Sequence, residues 1–113
     1  MYVYHRTDAA AAILATGFQD GTGHPMNALL WPGVWFSTFP LDVSEGATGD
    51  AVLRLDLPET VFIGYEFVPE GEDQRTYREA LIPAALVNAY GPPTLLSADE
   101  VEDLEANDPR FNP

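Results

Sequence analysis

Side chains with chemical potential stand within or at the ends of short β-favouring runs. His5 closes the run that starts at Tyr2 and is followed by Arg6 and Thr7. An imidazole there can exchange a proton near neutral pH, and a histidine at a strand end also serves as an ordinary core residue. In the run Gly33 to Ser37, alternation puts Val34 and Phe36 on one face and Trp35 and Ser37 on the other. Phe36 reads as a core aromatic, whereas an indole and a hydroxyl side by side suit a small ligand. Glu79 heads the apolar run Ala80-Leu81-Ile82. A buried carboxylate without a partner is costly, so Glu79 should be exposed, paired or functional. Its neighbour Arg78 points to the opposite face of a strand and is not its natural partner. His24 lies in a polar loop and reads as solvated.

The elements that must position these groups follow from pattern. Val3 and Tyr4 carry β-favouring side chains, and His5-Arg6-Thr7 ends that strand-like run. Thr7 and Asp8 can cap a helix over Ala9 to Thr16, with Ile13 and Leu14 as its apolar face and Gly17 closing it. Gln19 to Pro32, with Gly21, Gly23 and Pro25, reads as a lid-like loop carrying Met26, Leu29, Leu30 and Trp31. Leu41 to Gly49 is an acidic loop. Ala51 to Leu57 alternates Val52, Arg54 and Asp56 against Leu53, Leu55 and Leu57, and Pro58 ends it. Thr60 to Val68 reads as a further strand with Gly64 as a bulge or bend, and Pro69 to Gln74 as an acidic turn. Pro83 would break a helix over Thr76 to Val87, so Tyr77 to Ile82 is expected to be extended, with Ala84 to Val87 turning or pairing next. Ser97 and Glu100 form a capping box for a helix within Leu95 to Glu105, with Val101 and Leu104 on its buried side. Asp108 to Pro113 reads as a frayed tail.

These elements predict a single α+β domain over residues 1–113, with few helices. The strands led by Tyr2, Gly33, Ala51 and Tyr77 should form a curved or split sheet. At 113 residues, such a chain buries about two-thirds of its unfolded surface. There are 18 acidic residues against 5 basic ones, a net charge of −13. That surface repels phosphate backbones and speaks against nucleic acid as a partner. Cysteine is absent, which removes disulfides and thiolate chemistry. No apolar run approaches the ~20 residues of a membrane helix. Met1 is followed by a β-like stretch with no basic segment, so a cytoplasmic location is expected.

Taken in order, Tyr4-His5-Arg6-Thr7 with its glycine-ended helix, Gly33-Val34-Trp35-Phe36-Ser37, and Tyr77-Arg78-Glu79-Ala80-Leu81-Ile82-Pro83 resemble the ADP-ribosyltransferase superfamily, in particular its small histidine, aromatic and glutamate members. The likeness runs from Tyr2 to Val87, within a core of about residues 2–90, leaving an acidic C-terminal helix and tail over 95–113. It implies a split β-sandwich with NAD⁺ in its cleft as substrate and no metal. His5 would bond the ribose beside the nicotinamide, and chain atoms near Arg6 and Thr7 would meet the carboxamide. Trp35 or Phe36 would stack on the pyridinium, with Ser37 alongside. Glu79 would bond a ribose hydroxyl and stabilise the oxocarbenium ion as nicotinamide leaves. Arg6 replaces the small residue usual after the histidine and could neutralise a pyrophosphate. The second motif lacks its usual tyrosine.

The implied activity is ADP-ribosyl transfer to a protein or small-molecule acceptor, or NAD⁺ glycohydrolysis. The alternatives are a non-enzymatic acidic binding module of the immunity or antitoxin kind, and a degenerate domain that binds NAD⁺ without turnover. An enzyme needs His5, Trp35 or Phe36, and Glu79 along one cleft; a binding module leaves them scattered.

Overall fold

A computed structural model describes residues 1–19, 33–40, 51–67 and 77–106. The expected acidic loop, the turn from Pro69 to Gln74 and the tail from Asp108 lie outside the described residues, as does the lid beyond Gln19. The described strands are β1 (Tyr2–Thr7), β2 (Val34–Ser37), β3 (Ala51–Asp56), β4 (Glu66–Phe67), β5 (Glu79–Ile82) and β6 (Thr94–Leu95). They hydrogen-bond in the order β4-β5-β2-β1-β3-β6, and every pairing is antiparallel. The helices are α1 (Ala10–Thr16), α2 (Glu59–Gly64), α3 (Ala84–Val87) and α4 (Ala98–Ala106), with a 3₁₀ turn at Asn88–Tyr90. The architecture is a small α+β domain built on a six-stranded antiparallel sheet.

One face of the sheet carries the main core. Val3, Val34, Phe36, Leu53, Leu55, Ala80 and Ile82 point to it and meet Phe18, Leu57, Phe62, Ala84 and Val87. The other face carries a smaller cluster of Tyr4, Val52 and Leu96, covered by Val101 and Leu104 of α4. The alternation along β3 is as expected, with Leu53 and Leu55 in the first cluster and Val52 in the second.

Two local expectations need correction. Ala9 occupies the N-cap of α1 and no side chain caps it there; the Thr7 hydroxyl accepts the Ala9 N–H at 2.9 Å instead. Ile13, partly buried, packs on the core but Leu14 is exposed, so only one of the two expected apolar residues of α1 meets the core. Gly17 ends the helix at φ +91°, its N–H bonded to the Ile13 carbonyl.

A further correction is larger. Thr60 to Gly64 is helical, and among the described residues of the expected strand Glu66–Phe67 alone pairs. Pro58 starts the turn, its carbonyl accepting the N–H groups of Val61 and Phe62. The chain must cross from β3 to β4 at the far edge of the sheet, four strand spacings or roughly 19 Å away. A helix on that crossing seats Phe62 fully in the core. Burying one Phe side chain is worth about 1.5–3 kcal/mol, against a whole β-propensity scale of only about 1 kcal/mol. Tertiary burial therefore overrides the local preference of Thr60, Val61 and Ile63.

Pro83 ends β5, and its carbonyl accepts the Leu86 and Val87 N–H groups to begin α3. At α4 the capping box is formed as expected: Ser97 Oγ accepts the Glu100 N–H, and a Glu100 carboxylate oxygen accepts the Ser97 N–H.

Candidate functional site

The candidate residues lie on three adjacent central strands, β1, β2 and β5. β1 pairs with β3 along all six of its residues, from Tyr2↔Asp56 to Thr7↔Ala51. β2 pairs with β5 along all four of its own, from Val34↔Ile82 to Ser37↔Glu79. Between β1 and β2 there is one pair, Tyr4↔Ser37. β1 and β2 are therefore the most sparsely bridged neighbours in one continuous six-stranded sheet. The seam between them runs past His5, Arg6 and Thr7 on one side and Trp35, Val34 and Gly33 on the other.

His5 spans that seam. Its Nδ1 lies 2.8 Å from the Trp35 carbonyl oxygen. A carbonyl only accepts, so Nδ1 carries the proton, and in the neutral ring Nε2 is the acceptor. The imidazole packs with Phe18 and Phe36, at 5.7 Å between ring centres in each case, and Phe18 meets Phe36 edge-on at 5.4 Å. Burial among these rings lowers the His5 pKa below the ordinary histidine value, opposed by the bond to the Trp35 carbonyl.

The opposite face carries a different set. Residues paired across an antiparallel ladder share a face, so Glu79, Ser37, Tyr4 and Phe67 lie together. By alternation Trp35 and Arg6 join them. Trp35 meets Phe67 edge-on at 5.7 Å. Glu79 is the diagonal neighbour of Trp35 across the β2–β5 ladder and the direct partner of Phe67 across β4–β5. Arg6 Nη2 lies 3.4 Å from a carboxylate oxygen of Glu105 on α4, with the Arg6 side chain only 14% exposed.

The structure thus groups Trp35 and Glu79 on one face, with Arg6 on the same side across the seam. It sets His5 on the reverse face, joined to the group through the Trp35 backbone. Phe36 is 1% exposed and closed to a ligand, which removes it as the stacking partner and leaves Trp35, which is half-buried. Ser37 is also buried, and its hydroxyl donates to the Phe39 carbonyl. Thr7 is buried with its hydroxyl on the Ala9 N–H, so any ligand contact there falls to its backbone. Arg78 points away from Glu79, as alternation requires, and forms a two-point bond with Glu66 at 2.7 and 2.9 Å above the Phe62 ring. That pair holds Glu66 below the usual carboxylate range, chiefly through the Arg78 hydrogen bonds.

Two contributors escaped the sequence reading. Phe67 falls in a run whose alternation was broken by α2, so its face was not legible. Phe18 directly follows the helix-ending Gly17, and that position is the only signal it had. Among the described residues, no helix is long and apolar enough to cross a membrane. No family model matches the chain, and neither does any curated protein or solved structure.

Proposed function

We propose that the chain cleaves the nicotinamide glycosidic bond of NAD⁺, as an ADP-ribosyltransferase-like enzyme or a glycohydrolase acting in the cytoplasm. The observation that supports this best is the seam. The three motifs, drawn from the start, the first third and the last third of the chain, lie on three adjacent strands around the sparsely bridged line between β1 and β2. A dinucleotide lying along that line would have Trp35 as the flat surface for its nicotinamide ring. Arg6 would face the pyrophosphate. His5, on the reverse face, would act only through the Trp35 backbone to which its Nδ1 is bonded, and backbone groups of Arg6 and Thr7 would receive the carboxamide.

The chemistry asked of the site is dissociative. The bond from ribose C1′ to the pyridinium nitrogen breaks, and its electron pair leaves with nicotinamide, which becomes neutral. Positive charge spreads over C1′ and the ring oxygen, where the Glu79 carboxylate stabilises it. Water, or a nucleophile on a protein or small-molecule acceptor, then bonds to C1′ and gives up its proton. The net charge of −13 disfavours a nucleic-acid acceptor.

A second reading has its own support. His5 and Glu79 sit on opposite faces of their strands, and His5 is already bonded and packed between two rings. A non-enzymatic acidic module, binding a basic partner protein, would leave them so. Incubation with NAD⁺ and measurement of free nicotinamide separates the readings. The enzyme releases nicotinamide over many turnovers. A degenerate NAD⁺-binding domain releases none but gains stability, about 2.7 kcal/mol at a hundredfold excess over Kd. The acidic module does neither.

A further inference from the structure

The backbone of Phe18 is held by a side chain 70 residues further along the chain. Asn88 Oδ1 accepts the Phe18 N–H at 2.8 Å, and Asn88 Nδ2 donates to the Phe18 carbonyl at 2.9 Å. One carboxamide thus does for Phe18 what a neighbouring strand does for its partner, filling a donor and an acceptor at once. Asp would lack the donor, and an aliphatic residue would lack both groups. The clamp has a firm base, because Asn88 follows α3, whose Ala84 and Val87 are buried in the core.

Gly17 completes the arrangement. Its φ of +91° is strained for any side chain, and a Cβ there would lie 3.0 Å from Asn88 Oδ1. The glycine that ends α1 therefore also leaves room for the amide to reach Phe18. Phe18 in turn sets its ring edge-on to the His5 imidazole, at 5.7 Å and 80°. A continuous line of contacts runs from Asn88 through Phe18 to His5 and the Trp35 carbonyl at the seam.

We propose that Asn88 is a positioning residue for His5: by clamping the Phe18 backbone it holds the imidazole on the Trp35 carbonyl and so keeps Nε2 as the acceptor nitrogen. The NAD⁺ reading enters only through the Trp35 segment that His5 holds; the clamp itself is independent of it. Asn88 carries no sequence signal for this role, since nothing in the spacing joins it to Phe18.

The test is the tautomer of His5, read from its imidazole nitrogen resonances at pH 8, where the ring is neutral. The unmodified protein should show the Nδ1–H form. Asn88→Ala and, independently, Gly17→Ala should move His5 toward the mixture a solvated imidazole shows. Leu104→Ala, which weakens the cluster on the other face of the sheet, should lower Tm without moving the His5 resonances. That control separates positioning from general loss of stability. In nicotinamide release, Asn88→Ala should raise the KM for NAD⁺ about three- to tenfold, the worth of one neutral hydrogen bond, with kcat changed less. A folded Asn88→Ala protein whose His5 keeps the pure Nδ1–H form overturns the proposal. Should that variant not fold, Asn88→Asp keeps the acceptor for the Phe18 N–H and loses only the donor, and the same resonances decide. Absence of nicotinamide release from every protein, with the tautomer shift intact, would remove the NAD⁺ reading and leave the clamp standing.

Discussion

His5 is the residue whose environment makes the most specific demand on the solution behaviour of the protein. Burial keeps its ring neutral in the fold, below the ordinary histidine pKa. In the unfolded chain the same ring charges as the pH falls through about 6.5. Below that pH the unfolded state binds the extra proton, so the His5 contribution to stability is complete above about 6.5 and is lost progressively on acidification. Tm measured against pH should therefore decline from near that value, and His5→Gln should lack this part of the decline. Parallel profiles for the two proteins would contradict the packing described for His5. Glu66 acts in a separate window. Its carboxyl is held low by Arg78, so its contribution is present above the ordinary glutamate value and lost as the pH falls further.

At the scale of elements, the ends of α4 differ in how well they are secured. The Ser97–Glu100 box fixes its start, and Val101 and Leu104 touch the Tyr4, Val52 and Leu96 cluster. Its last turn has no basic residue, so Glu105 opposes the helix dipole and is offset by Arg6. Ser97→Ala should cost about 1 kcal/mol, which speeds amide exchange in α4 roughly fivefold. Exchange in β1 and β3 should be unchanged; a uniform rise across the sheet would show that α4 is not a separate unit. This box was legible because its two residues are three apart and act on each other's backbone. The strands at Tyr2, Gly33, Ala51 and Tyr77 were legible for the same local reason, through alternation or a bounding proline. The helix at Glu59–Gly64 was not, because Phe62 answers to a core built from distant strands.

For the molecule as a whole, the sequence names candidate residues but cannot give their arrangement. Alternation tells which neighbours within one strand share a face. Whether His5 and Glu79 share a face depends on the register between strands, and a slip of one residue reverses it. The Tyr4↔Ser37 and Ser37↔Glu79 pairs place Glu79 with Trp35, and His5 behind them. The same arrangement removed Phe36 from the site and brought Phe67 into it. The charge of −13 was legible in full, and it bears on the partner rather than on the fold.

Glu79 is the carboxylate proposed to meet the developing positive charge, and nicotinamide release by the unmodified protein and by Glu79→Gln under the same conditions tests that role. The substitution preserves shape and removes the charge. Loss of such electrostatic help costs on the order of 100- to 1000-fold in rate. Binding of NAD⁺, read as the rise in Tm it produces, should change much less, because the charge matters most as the bond breaks. Release of nicotinamide by Glu79→Gln at the rate of the unmodified protein would contradict the mechanism.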